Sequence, residues 1–334
     1  MAKGYNATEY MFSSARIRSL EVKLAGREQI SRLVDAESAS AAVAALGEFG
    51  FEPQYDAGGR LLREDMLMAV LKSGFDVLEE MECASAVRFL RYQYDCNNVK
   101  AIIKCAAGGR EVDGMLLRLG SVSVEDAKAT FVSKDYSCFP KNMAAAIAEA
   151  EEAFASTGDP QKIDLIIDRA TFADMLEAAV AGGVGLAREL VIARIDLVNI
   201  TMAVRLIRMK LGNRTAAVLD EAYIEGGNLA KEALAVAVTE GESALSELLL
   251  YGGYRVLAEL IGAGASLGEL EKQSDDIWMG VAKQARYLPF GAEIAIGYIA
   301  ALEYEIKNIR IILAGKDAGL APDVIRERLR ESYV

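Results

Sequence analysis

The 334 residues carry a formal net charge of −12 and contain no histidine. The acidic balance weighs against nucleic acid, because phosphate affinity needs a surplus of Lys and Arg on one face, and the missing histidine removes Ser/His and Cys/His nucleophile pairs and every His-containing metal site. With 52% hydrophobic residues, 7% aromatics, only 5 prolines and abundant Ala, Leu and Glu, the composition predicts folded domains of all-α class.

Taken in order, Tyr10 to Leu24 places Phe12, Ala15, Ile17, Leu20 and Leu24 at helical intervals. Short helices follow around Gln29 to Val34 and Ser40 to Leu46, and Gly50-Phe51-Glu52-Pro53 breaks the run. Leu61 to Leu71 and Phe75 to Arg91 read as two more helices, leading into one through Asp95 and Asn98 that Gly108-Gly109 stops. Ser123 is placed to cap a helix whose first turn holds Glu125 and Asp126. Lys141 to Ser156 is an Ala/Glu helix closed by Thr157-Gly158-Asp159-Pro160, where Asp159 caps and Pro160 starts a helix through Asp168 and Phe172 to about Val180. Gly182-Gly183-Val184-Gly185 turns the chain into a long helix through Asp196, Asn199 and Arg208. Asn228 to Val238, Glu242 to Tyr251 and Leu267 to Lys283 follow. After Pro289-Phe290-Gly291 comes Ala292 to Leu313, which Gly315-Lys316-Asp317 is expected to end, and a charged helix from Asp323 to Arg330 closes the chain.

One stretch recurs in this order. It is an acid, two residues, an asparagine and an apolar stripe: Asp95 with Asn98, Asp196 with Asn199, Glu305 with Asn308. The acids fall 101 and 109 residues apart (95 to 196 to 305). The short pattern alone is weak, since Glu225-Gly226-Gly227-Asn228-Leu229 also satisfies it. A second echo supports it: Asp164 and Asp168 with Phe172 match Glu271 and Asp275 with Trp278 at an offset of 107 (164 to 271, 168 to 275). Two markers in one register predict three similar helical domains, 1–110, 111–217 and 218–334.

Chemistry finds little support. A mid-helix Asn is disfavoured unless its amide is used, so Asn98, Asn199 and Asn308 are expected to bridge to a neighbouring segment, with Asp95, Asp196 and Glu305 fixing geometry in the same way. The Asp164/Asp168 and Glu271/Asp275 pairs contain no DDxxD and read as a solvated or capping face. Gly262-Ala263-Gly264 follows a helix rather than a strand, and Gly315-Lys316-Asp317 lacks the rest of a phosphate loop, so no nucleotide, cofactor or metal site is expected. Cys83, Cys96, Cys105 and Cys138 have no CxxC spacing and read as buried, reduced thiols. No export signal is evident, and charges interrupt the greasiest windows, 184–207 and 292–313, so no membrane span is expected. Lys100, Lys104, Arg205 and Arg208 lie on the recurring helices as a possible partner surface.

The three acid-x-x-Asn-[Ile/Val] helices, the opening Tyr10…Arg16-Ile17-Arg18…Leu24, and the run from Glu303 through Asn308 to Lys316 with Ile325-Arg326-Glu327-Arg328-Leu329 resemble the C subunit of V-type and archaeal-type ATP synthases, the counterpart of the d subunit of eukaryotic V-ATPases. The similarity covers essentially the whole chain and is most specific in the C-terminal run. It implies an all-helical funnel of three domains in pseudo-threefold arrangement, peripheral on the cytoplasmic face of the membrane. Its partners would be the central shaft subunits and the membrane proteolipid ring. It would transmit torque between them as a non-enzymatic rotor subunit with no cofactor, no small-molecule substrate and no catalytic residues. The rival readings are a soluble helical-repeat adapter with unrelated partners and, behind it, an all-helical lyase using Asp164, Asp168 and Glu271.

Overall fold

A computed structural model of the chain describes residues 6–334, apart from Glu82 and the side chain of Asn213. Among the described residues the fold is all-α: sixteen helices joined by loops and short 3-10 turns, with one isolated bridge between Tyr55 and Leu61 in place of any sheet. The helices in chain order begin with α1 (Met11–Glu21), α2 (Arg27–Asp35), α3 (Ala39–Leu46), α4 (Arg63–Glu80) and α5 (Ala84–Ala107). The middle of the chain forms α6 (Val124–Ser133), α7 (Lys141–Thr157), α8 (Pro160–Ala181), α9 (Gly185–Met209), α10 (Thr215–Ala222), α11 (Lys231–Glu240), α12 (Glu242–Tyr251) and α13 (Arg255–Gly262). Three more close it: α14 (Leu267–Ala282), α15 (Ala292–Asp317) and α16 (Pro322–Arg328). None is long and apolar enough to cross a membrane. The chain forms two compact units, one from the described part of 1–87 together with 268–334, the other Arg88–Leu267.

In the first unit α15 is the axis. It buries residues on all sides, from Ala292 to Gly315, and α1, α2, α3, α4 and α16 pack around it. Glycines permit two of these approaches. A Cβ on Gly74 of α4 would run into Leu302 Cδ1, and one on Gly315 would stand 2.8 Å from Ile325 Cγ1 of α16. This close packing explains two departures from the helix ends that the sequence predicts. α4 runs unbroken through Lys72-Ser73-Gly74, and the break falls between Glu80 and Ala84, dividing the helix expected from 75 to 91. α15 likewise continues past Gly315 to Asp317. An interior glycine costs a helix about 1 kcal/mol relative to Ala, which close packing offsets. Arg330, expected inside the last helix, lies beyond its end in the non-helical segment 329–334.

In the second unit Cys96, Val99, Ile102 and Ile103 of α5 share a core with Ala127 of α6, Met143 and Ile147 of α7, and Ile163 and Ile167 of α8. α9 then packs on α8, α10, α11 and α12. The local signals are realised. Ser123 Oγ accepts from Asp126 N to open α6, and Asp159 accepts from Gln161 N with Pro160 as the first residue of α8. α10 is an eight-residue helix that no sequence signal announces, since two turns give periodicity little to register. Three cysteines are buried as expected; Cys138 is exposed, on the loop after α6, where no core residue is needed.

Candidate functional site

Acid and asparagine, three residues apart, project from one face of α5, α9 and α15 about a turn apart, and all six side chains are buried. Each pair meets the backbone of a non-helical segment, in the same way three times. Asn98 Nδ2 donates to Leu117 O (2.8 Å) while its Oδ1 accepts from Leu117 N (2.7 Å). Asn199 does the same with Ile224, at 2.8 and 3.0 Å, and Asn308 with Arg330, at 3.0 and 2.8 Å. A planar carboxamide offers donor and acceptor side by side, matching the N–H and C=O of a single residue; Asn therefore satisfies two backbone groups that no helix or sheet partner reaches.

The first two acids hold the next stretch of the same segments, and the third holds a different one. Asp95 accepts from Ser121 N (3.0 Å), Ser121 Oγ (2.6 Å) and Val122 N (3.1 Å). Asp196 accepts from Asn228 N (2.8 Å), Leu229 N (3.0 Å) and Tyr254 Oη (2.8 Å). Glu305 accepts from Ala25 N at 2.7 Å. Val122, Leu229 and Ala25 each stand two residues before the first residue of a helix: α6, α11 and α2. In the first two joints the Asn-bound and acid-bound residues are five positions apart (117 to 122, 224 to 229). In the third they come from distant parts of the chain, Arg330 and Ala25.

Side-chain length follows the segment it meets. Gly120 and Gly227 lie so close to Asp95 Oδ1 and Asp196 Oδ1 that a Cβ at either would overlap the carboxylate. At the third joint the corresponding position is Lys23, and the acid there is Glu, whose extra methylene reaches Ala25 from further back. Burial pushes Asp95 above its ordinary value, opposed by the bonds from Ser121 and Val122. Glu305 is pushed up to about 7 by burial, with Ala25 N pulling the other way. Burial and the neighbouring Asp196 carboxylate hold the Tyr254 hydroxyl far above its usual range.

The basic residues singled out in the sequence lie on α5 and α9. Lys100 donates to Asp168, and Lys104 to Asp164, so the two i, i+4 pairs form an ion ladder between α5 and α8. Arg208 donates through Nε to Glu242 (2.7 Å) and through a terminal nitrogen to Ala265 O (2.8 Å). Arg205 is exposed on α9. Asp275, the counterpart of Asp168 in the repeat register, accepts from Tyr304 Oη, Lys307 Nζ and Arg330 Nε. No group of three or more His, Cys, Asp or Glu side chains among the described residues is placed to hold a metal ion.

Sequence reasoning finds the six side chains and misses what they hold, because their partners are mostly backbone groups. A trace of two partners is nevertheless present: Gly120-Ser121-Val122 and Gly227-Asn228-Leu229 share a glycine, a polar residue and an apolar residue just before a helix. The second lies inside the spurious match at Glu225 to Leu229, which is the segment Asp196 grips rather than another copy of the gripping helix.

The profile of the ATP synthase (C/AC39) subunit family matches residues 13–328. The C subunit of the V-type sodium ATPase of Enterococcus hirae is 24% identical over 97% of this chain and 99% of its own length. The C subunit of the A-type ATP synthase of Haloferax volcanii is 28% identical over 98% of both chains, and that of the V-type ATP synthase of Thermus thermophilus 23% identical over 74% of this chain and 75% of its own. With the profile spanning nearly its whole length, this all-helical chain belongs to the ATP synthase (C/AC39) subunit family.

Proposed function

We propose that the chain is a non-catalytic rotor subunit of a V/A-type ATPase, a socket that couples the central shaft to the membrane proteolipid ring on the cytoplasmic side and transmits torque. The likeness along the whole chain to C subunits of such complexes supports the assembly. The observation that carries the mechanical part is the threefold recurrence of one buried joint, each gripping the residues just ahead of a helix. A torque-bearing part needs stiffness, and buried backbone groups paired to side chains on packed helices resist shear more than loops tied by solvent-exposed contacts. The proposed modules are 1–110, 111–217 and 218–334, one joint helix in each. Lys100, Lys104, Arg205 and Arg208 belong to the proposal as a salt-sensitive attachment.

The test is binding. Purified full-length chain should bind both the shaft subunit and the detergent-solubilised proteolipid ring of its own complex, and Arg205→Glu should weaken attachment and flatten its dependence on ionic strength. Arg205 is the site to reverse because it is exposed, whereas Lys100, Lys104 and Arg208 are half-buried. An adapter with unrelated partners would bind neither component; binding that Arg205→Glu leaves unchanged would remove that surface.

A further inference from the structure

The third joint differs from the others in how its acid is held. Asp95 and Asp196 each accept three hydrogen bonds, whereas Glu305 accepts one, from Ala25 N, and no other protein donor among the described residues reaches it. A small pocket adjoins its carboxyl, lined by Leu24, Ile30, Ala301, Ser332, Tyr333 and Val334, with Asn308 on the same wall. An ionised carboxylate there faces one N–H and mostly apolar surface, a costly arrangement.

Among the described residues no cation on the packed elements is paired with it, and Lys23, two residues before Ala25, is exposed. On α15 and in the segment after α16, Lys307 and Arg330 are held by Asp275, Lys316 by the carbonyls of Val34 and Ala36, and Arg310 by Glu64 of α4. Arg32 of α2 pairs with Glu48, Arg326 of α16 with Asp35, and Lys283 with Glu331. Arg18 of α1 pairs with Glu21, and α3 has no charged residue. Tyr298, pushed up to about 12 by burial, stays neutral beside it.

We propose that Glu305 is a proton-sensitive latch: neutral, it lets α15 grip the segment before α2 and, through Asn308, the segment at Arg330; ionised, it loosens both together, while the Asp95 and Asp196 joints, each held by three donors, loosen less. Burial lifts the closed-state carboxyl from its ordinary 4.5 to about 7. In a loosened, wetted joint the group returns towards 4.5, so the closed form binds the proton more tightly. Closure is therefore strongest below pH 4.5, weakens about tenfold per pH unit as pH rises from there, and levels off above about 7, a range on the order of 100-fold. The latch stands on the joint itself and is independent of whether the chain seats a shaft.

Amide hydrogen exchange on the full-length chain, corrected for the intrinsic pH dependence of exchange, tests this between pH 5 and 8, together with a carbon-13 titration of the Glu305 carboxyl. Protection at Ala25 and Arg330 should fall in step towards neutrality and then plateau, and by more than at Val122 or Leu229. Glu305→Gln keeps an acceptor for Ala25 N–H without the charge and should give a flat profile. Flat protection in the unmodified chain, an equal fall at Val122 and Leu229, an unchanged slope in Glu305→Gln, or a carboxyl titrating near 4.5 would each overturn the latch. Should Glu305→Gln not fold, the titration in the unmodified chain decides alone.

Discussion

A side-chain amide that binds both the N–H and the C=O of one residue stands in for a neighbouring strand where the fold provides none. Its removal strands two polar groups, and the cost scales with how dry they are. Ile224, gripped by Asn199, is buried, whereas Leu117 and Arg330 are half-buried. Asn199→Leu should therefore destabilise the protein by about 2–4 kcal/mol in urea unfolding, and Asn98→Leu and Asn308→Leu by less. Equal costs at the three sites would mean that the amides are not satisfying buried backbone. At this scale the sequence discloses polar residues where an apolar stripe predicts none, and so identifies the gripping residues. It does not disclose a backbone N–H, which every residue but proline carries, and so Leu117, Ile224 and Ala25 could not be picked out. The choice of Glu rather than Asp at 305 makes sense only once Lys23, not glycine, is seen at the position that Gly120 and Gly227 hold in the other two joints.

Among the elements, periodicity and caps locate most of the helices; glycine misleads. Gly74 and Gly315 look like interruptions in one dimension, and across the interface they are the places where Leu302 and Ile325 come nearest. Only the partner decides which meaning holds. If Gly74 is there for Leu302, Gly74→Ala should destabilise by about 1–3 kcal/mol through overpacking, and in a Leu302→Ala background the same substitution should cost much less. Additive costs in that double-mutant cycle would show that Gly74 answers to something other than Leu302. The ladder of Lys100 and Lys104 on Asp164 and Asp168 gives the opposite lesson. Both halves are visible as i, i+4 pairs, and their meeting is not, because α5 and α8 are far apart in sequence and brought together by the apolar core beneath.

Across the whole molecule, the same acid and amide grip recurs at α5, α9 and α15, and at α15 it ties residue 25 to residue 330. The recurrence of the gripping helix is legible because two independent markers share a period; the closure is not, because no spacing along the chain announces that a C-terminal segment occupies the place the first two joints fill from nearby sequence. A socket that carries torque must touch the part that turns it and the part it turns. Crosslinking with mass spectrometry on the intact rotary complex probes both contacts at once. Crosslinks from this chain to both the shaft and the proteolipid ring are expected; crosslinks confined to stationary subunits, with none to shaft or ring, would contradict the proposed socket.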